Sequence, residues 1–328
     1  MTELYPLKFD SILKEKMWGG HSLVSYYNKE GDPHKHYGES WELSGVQDNL
    51  SMINNGFLQG NNIEELIEVY MGDLVGDAIY EQFGIEFPLL IKIIEANDDL
   101  SIQVHPDNEL ALKRHNAYGK TEMWYILETE EGAKIYSGFN KQYTKEEYLE
   151  AVKSETLPSM LCAELSLPGD VFFTPAGKVH AIGAGNILME IQQTSDITYR
   201  ISDWGRVDAN GKSRPLHTDL AVDAIDFSTI GSGKKTSCPH LDRPEKIADC
   251  EFFTVNLQWI ITPVEKNYIR LDSFVIFFCI EGEFSIRYNG DKAETVKKGE
   301  TVLLPAILKE VVIEPNPEAK YLEIYIKK

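Results

Sequence analysis

Apolar and polar residues alternate over most of this chain, and helical spacing is confined to a few stretches. Alternation with a period of two puts successive side chains on opposite faces of a strand. It is clear in Gly38–Ser44, where Trp41 and Leu43 fall on one face and Glu42 and Ser44 on the other. It recurs in 101–107, where Ile102 and Val104 face an apolar side and Gln103 and His105 face away, with Pro106 ending the strand. In 120–127 it puts Lys120, Glu122 and Trp124 together. Phe87–Ile94 is apolar throughout except for Lys92, which reads as a buried strand carrying one charge that needs a partner or a task. Residues 161–201 and 250–328 are again β-rich, with segments at 255–260, 274–280, 284–288, 301–304 and 321–326.

Helical spacing appears where capping chemistry also appears. Asn62 with Glu65 and Thr144 with Glu147 form capping boxes, and Ile63, Leu66, Ile67, Tyr70 and Met71 make an apolar stripe. A helical pattern continues from Leu74 to Phe83 and stops at Gly84. Another helix opens at Pro106–Glu109, carries Lys113, Arg114 and His115 near its end, and breaks at Gly119. Thr218–Phe227 is a further short helix. Trp18-Gly19-Gly20 reads as a turn, and Gly231–Lys235 as a linker.

Two segments echo each other. Gly169-Asp170 to Pro175 and Gly299-Glu300 to Pro305 both read G-(D/E)-x4-P after a hairpin. A glycine turn, a short strand and a terminating proline, repeated, predict two similar β-barrels in tandem. The first copy runs on through Gly177 to His180, whereas the second has Ala306-Ile307-Leu308-Lys309 and no histidine. The expected division is residues 1–235, a barrel with N-terminal strands and a helical insertion, and residues 236–328, a second barrel without metal ligands.

Composition adds limits. The 328 residues are 43% hydrophobic and 11% aromatic, enough for a substantial core. No apolar run is long enough for a membrane span, and the first eight residues lack the pattern of a secretory signal. Cys162, Cys238, Cys250 and Cys279 form no CxxC pair and read as reduced thiols of a cytoplasmic protein. The net charge of −20 argues against nucleic acid or anionic membrane as partners. An anionic substrate would need cations gathered at its site.

Gln103, His105, Glu122 and His180 thus lie on successive β segments of one domain and could converge inside a barrel. Imidazole, carboxylate and amide oxygen suit a divalent ion such as zinc. A rival pair, His34 and His36, sits in a turn-rich loop beside Gly31-Asp32-Pro33 and reads as exposed loop.

These residues resemble a known family. Gly169-x5-Pro175-x-Gly177-x2-His180 is similar to the second cupin motif, and Gln103-x-His105 with Glu122 to the first, with a helix inserted. Residues 89–107, 120–124 and 190–200 resemble type I mannose-6-phosphate isomerases of the short bacterial form. The resemblance implies a mainly β, tandem cupin (jelly-roll) fold with a small helical insertion, and one zinc ion (Zn2+) per chain held by Gln103, His105, Glu122 and His180. It implies Arg200 as the catalytic arginine and Lys120 as a candidate base. The implied reaction interconverts mannose 6-phosphate and fructose 6-phosphate through a cis-enediol. Lys92, Lys120, Arg200 and Arg206 are candidates to meet the phosphosugar, and the chain is expected as a monomer or weak homodimer. Ala184 stands where the general cupin motif has asparagine, which this family does not use as a ligand. A sugar-phosphate-binding cupin without turnover and an iron-dependent cupin oxygenase remain alternatives.

Overall fold

The computed structural model describes residues 3–207 and 211–328. The chain opens with β1 (Leu7–Lys8), β2 (Ile12–Gly20), β3 (Tyr37–Ser44), β4 (Leu89–Ala96), β5 (Ile102–Val104), β6 (Glu122–Thr129) and β7 (Lys134–Phe139). It continues with β8 (Leu161–Leu165), β9 (Asp170–Thr174), β10 (His180–Ile182), β11 (Asn186–Gln193), β12 (Tyr199–Ser202) and β13 (Lys234–Thr236). The last strands are β14 (Glu245–Asp249), β15 (Thr254–Ile260), β16 (Val264–Asn267), β17 (Val275–Tyr288), β18 (Lys292–Lys297), β19 (Thr301–Leu304) and β20 (Glu310–Tyr325). A seven-stranded sheet in the order β13-β9-β6-β11-β4-β3-β2 faces a five-stranded sheet in the order β12-β5-β10-β7-β8. The remaining strands form an eight-stranded sheet built around the long β17 and β20. The expected mainly β, tandem-barrel architecture is what the chain adopts.

Alternation decides which core each residue joins. Leu89, Ile91 and Ile93 of β4, Met123 and Tyr125 of β6, and Met189 and Ile191 of β11 point out of the first barrel into a shared layer. Leu66, Ile67, Leu74 and Ile79 from the inserted helices fill that layer, and Phe274, Ile276 and Phe278 of the second lobe close it. Their neighbours Ile94, Trp124, Ile126 and Leu188 turn into the first barrel. Ile102 and Val104 pack outward under the helices on the other sheet, as their spacing predicts.

Both capping boxes form, at Asn62 with Glu65 and at Thr144 with Glu147. The insertion helix starts at Asn108 with Asp107 as N-cap, so Pro106 precedes it rather than lying in its first turn. The two echoed turns share their chemistry. Gly169 and Gly299 have φ of +91° and +80°, a conformation that favours glycine. The acid after each glycine accepts from the amide three residues before it, Leu167 N–H to Asp170 at 2.8 Å and Lys297 N–H to Glu300 at 2.9 Å.

Four expectations need correction. Trp18-Gly19-Gly20 is the end of β2, not a turn. A Cβ on Gly19 would lie 2.4 Å from Gly38 N, and one on Gly20 would strike the Glu95 carboxylate. These glycines permit close backbone approach, not reversal. Trp41 and Leu43 do not share a face, because the β3–β4 register shifts between them. Leu43 enters the shared layer, while Trp41 turns into the first barrel's cleft. The segments at 274–280 and 284–288 are one strand, β17, irregular around Cys279–Phe284. Lastly, part of the expected linker is structured: Lys234–Thr236 pairs with β9.

Several contacts tie the lobes. β1 pairs with β19. Lys29, only 8% exposed, donates to Glu42 at 2.6 Å and to the carbonyl of Gly299 in the echoed turn at 2.7 Å. Removing the ammonium strands a buried carboxylate, which costs about 3–5 kcal/mol. Lys29→Met is therefore expected to lower the urea midpoint clearly, and Lys29→Met/Glu42→Met to recover part of the loss. An unchanged midpoint for the single variant would show that the pair carries no stability.

Candidate metal centre and cleft

β5 and β10 run side by side with Gln103 opposite His180, and β12 sets Arg200 opposite Gln103 on the other flank. β6, from the facing sheet, brings Glu122. Each histidine is fixed from behind. His105 Nδ1 meets the carbonyl of Ile197 at 2.8 Å, and His180 Nδ1 meets that of Lys178 at 2.8 Å. A carbonyl can only accept, so Nδ1 carries the proton and Nε2 keeps its lone pair. Burial holds His180 at about 3 and His105 well below the ordinary imidazole range, so both rings are neutral.

The two Nε2 atoms flank one carboxylate. His180 lies 3.4 Å from Glu122 Oε1 and His105 lies 3.5 Å from Oε2. Glu122 is wholly buried, yet neither oxygen receives a hydrogen bond of normal geometry. Burial and the facing carboxylate of Glu190 push its pKa up. Lys120 Nζ lies 2.7 Å from Oε2 but serves only one side of the group. The Gln103 amide nitrogen reaches His180 Nε2 at 3.3 Å, and half a turn of the amide would present its Oε1 to the same point. A buried carboxylate short of donors between two neutral imidazoles suits a divalent cation. Among the described residues, His105, Glu122 and His180 are the one cluster of this kind, with ligand atoms within 4.8 Å of one another.

The donors open onto a cleft of about 310 Å³. Along one wall runs a ladder of alternating charge. Lys16 meets Glu39 at 2.9 Å, and Glu39 meets Lys92 at 3.9 Å. Lys92 meets Glu190 at 3.0 Å, Glu190 meets Lys120 at 3.8 Å, and Lys120 meets Glu122. Trp124 Nε1 donates to Glu190 at 3.0 Å, and the Lys92 ammonium sits over the Trp41 ring. Burial alone would raise the Glu190 pKa, but Lys120 and Lys92 reverse this and hold it down. Burial would likewise lower Lys120, but Glu122 and Glu190 hold it up at about 12.

The structure thus brings Gln103, Lys120, Lys92 and Arg200 to the cleft lining, with Glu122 and His105 against Lys120 and His180 against Gln103. Lys120 lies just ahead of β6, not within it, and its Nζ also approaches His105 Nε2 at 3.3 Å. Lys92 has its partner in Glu190. Arg200 lines the cleft, and no described carboxylate pairs with it; its Nη1 donates to the carbonyl of Pro215 at 2.9 Å. Arg206 does not line the cleft; it pairs with Asp203 at 2.6 Å. His34 and His36 lie in the exposed loop. Sequence reasoning passed over Glu39, Glu190 and Arg214, all of which line the cleft. The signal for Glu190 was available: like Lys92, it is a lone charge in an apolar strand, and the two sit directly opposite. The second barrel offers a contrast. Its buried carboxylate, Glu323, is satisfied by Lys266, Tyr268, Asn256 and Gln258.

Comparison with known proteins agrees with this geometry. Residues 6–152 match the model of the phosphomannose isomerase type I catalytic domain, and residues 245–319 that of the mannose-6-phosphate isomerase cupin domain. The chain is 34% identical over 319 residues to mannose-6-phosphate isomerase ManA of Bacillus subtilis, covering 95% of this chain and 97% of that one. It is 32% identical over 308 residues to mannose-6-phosphate isomerase of Streptococcus mutans, covering 93% of each. Among solved structures, the mannose 6-phosphate isomerase from Bacillus subtilis superimposes with a TM-score of 0.84 at 30% identity, covering 98% of this chain and 99% of that one. A variant of phosphomannose isomerase from Salmonella typhimurium, at 17% identity and a TM-score of 0.76, covers 98% of this chain and 100% of that one and shares the fold. The chain belongs to the type I mannose-6-phosphate isomerase family, isomerase enzymes built on the cupin fold.

Proposed function

We propose that this chain interconverts mannose 6-phosphate and fructose 6-phosphate at one zinc ion held by Gln103, His105, Glu122 and His180. The observation that carries this reading is the buried, under-bonded Glu122 carboxylate between two neutral imidazoles, at the end of a cleft lined by lysines and arginines. When bound, the ion supplies a fixed positive charge that stabilises negative charge developing on the sugar oxygens.

The reaction removes the C2 proton of the open-chain aldose and returns a proton at C1, while the hydroxyl proton of O2 passes to O1. The intermediate is a cis-enediol. Lys120 stands beside the ligand set. As the ammonium that Glu122 and Glu190 sustain, it can give a proton to the sugar oxygens, and it can take the C2 proton only once a bound dication drawing on Glu122 lowers its pKa. Glu190, 3.8 Å away, keeps that ammonium in place from the opposite side to Glu122. Lys92 in turn neutralises Glu190. Arg200 offers a cation for the enediolate or the phosphate. The ladder holds three ammonium groups and three carboxylates, so a bound dication leaves this part of the cleft positive, as a phosphosugar requires.

Among the described residues no helix is long and apolar enough to cross a membrane. The four cysteines are unpaired, which fits a reducing compartment, and we assign the chain to the cytoplasm.

A coupled assay for fructose 6-phosphate formed from mannose 6-phosphate tests the reading. Purified protein is expected to turn over, to lose activity on exhaustive chelation, and to regain it with zinc at about one ion per chain. Absence of turnover in metal-replete protein sinks the proposal. Retention of iron with no zinc would move it to oxygenase chemistry.

Two substitutions probe the roles separately. Glu122→Gln keeps the volume but loses the carboxylate charge, so metal content and turnover should fall together. Arg200→Ala should retain the metal and lose roughly 10²–10³-fold in kcat/KM, the usual scale for removing one preorganised charge donor. Near-full turnover in Arg200→Ala would show that the arginine is misassigned.

A further inference from the structure

Beyond the metal donors, the cleft is bounded by an arginine cluster whose organisation the reaction as described leaves unexplained. Arg200 and Arg214 both line the cleft. Between Arg214 and Arg206 lies Asp203, which is 5% exposed. Both Asp203 oxygens are engaged: Arg214 Nε donates to Oδ2 at 2.8 Å, Arg214 Nη2 bonds to Oδ1, and Arg206 Nη2 donates to Oδ1 at 2.6 Å. A forked guanidinium–carboxylate pair fixes a planar group in orientation as well as position. Burial alone would raise the Asp203 pKa, but Arg214 and Arg206 more than reverse this, so it remains an anion.

The backbone around Asp203 is held with equal care. Trp204 has φ of +57°, a conformation non-glycine residues rarely adopt. It is kept there by its indole Nε1–H, which donates to the carbonyl of Leu100 at 2.7 Å, and by its ring against Tyr136. A strained residue survives where its surroundings over-determine it, often beside a functional group. Arg214 is anchored from its other end too. Arg200 donates to the carbonyl of Pro215, and Arg200 and His217 exchange bonds, His217 N–H to the Arg200 carbonyl at 2.7 Å and Arg200 N–H to His217 Nδ1 at 3.0 Å. The segment bearing Arg214 is thereby stitched alongside the strand bearing Arg200. Two guanidinium groups share the buried Asp203 carboxylate, and a third, that of Arg200, lines the cleft with Arg214 in a chain whose net charge is −20.

We infer that Asp203 is a positioning residue that holds Arg214 beside Arg200, so that the two guanidinium groups together receive the phosphate of the substrate. The inference rests on the sugar-phosphate reading given above and adds to it a second arginine and the residue that aims it. Arg214 engages Asp203 through Nε and Nη2, so that pair leaves Nη1 unused while the residue lines the cleft. A guanidinium already held in place pays less entropy on binding an anion than a free one.

The test uses full-length, metal-replete protein and two readouts: inorganic phosphate binding by calorimetry, and steady-state kinetics with mannose 6-phosphate. Arg214→Met is expected to weaken phosphate binding and raise KM by about tenfold or more with kcat little changed, the scale of one lost charge-assisted pair. Asp203→Asn should do the same, Asp203→Glu should restore part of the affinity, and the double variant should be no worse than either single one. Unchanged phosphate affinity in folded Arg214→Met overturns the inference even if Asp203→Asn fails to fold. A fall in kcat alone, with phosphate affinity intact, overturns it as well. Wild-type protein that binds phosphate through Arg214 yet leaves mannose 6-phosphate unconverted would keep the arginine pair and remove the isomerase reading instead.

Discussion

Glu122 lies wholly inside a β-barrel with neither oxygen properly hydrogen-bonded, and much of the site follows from that condition. Taking a carboxylate out of water costs several kcal/mol unless opposite charge and donors replace the solvent. Lys120 supplies part of the compensation. It then needs its own counter-charge, supplied by Glu190, which needs Lys92, which stands beside Glu39, which meets Lys16 at the open end. The alternation carries a string of buried ions from the barrel interior to solvent, each with an opposite charge beside it, and leaves Glu122 at the inner end short of donors. Such strings are weak sources of stability. Their persistence here is understandable if the carboxylate at the inner end is kept for a cation.

The second barrel shows what the same architecture looks like without that requirement. It repeats the glycine turn and the acid that caps it, so the local rules of the fold are shared. Its interior is filled by Phe277, Phe284 and Tyr321. The one carboxylate it buries among them, Glu323, is surrounded by donors from four side chains. Glu323 is a satisfied structural anion, whereas Glu122 is an unsatisfied one. Burial is the same in kind, and the difference in donors separates scaffold from site.

Much of this was legible in the chain itself. Period-two alternation put Gln103 with His105 and Lys120 with Glu122 on common faces, and the capping boxes marked two helices. What alternation could not supply was register across long separations. Lys92 and Glu190 are 98 residues apart, and only the β4–β11 pairing makes one the answer to the other. Trp41 and Leu43, grouped by alternation, part because a single bulge reverses every later side chain in a strand. Gly19 and Gly20 read as a turn in the sequence because it shows small residues but not the neighbour that requires them. Asp203 and Arg214, eleven apart in an irregular segment, carry no periodic signal.

The electrostatics of the chain pull in two directions, and the site resolves them by distance. At long range an excess of carboxylates repels any phosphate, yet that field is screened within about 10 Å at ordinary ionic strength. Inside the cleft the relevant charges are few and close. The ladder is balanced until a metal joins it, and the arginines outnumber the acid they share. On the proposed reading, attraction for a phosphosugar is therefore local and directional, felt only by a ligand that has entered. Such an arrangement forgoes electrostatic steering of the encounter and relies on contacts made after entry. On the proposed reading, discrimination falls to the spacing between the candidate metal donors and the guanidinium groups, and the β5–β12 edge contributes to it through the pairing of Gln103 with Arg200.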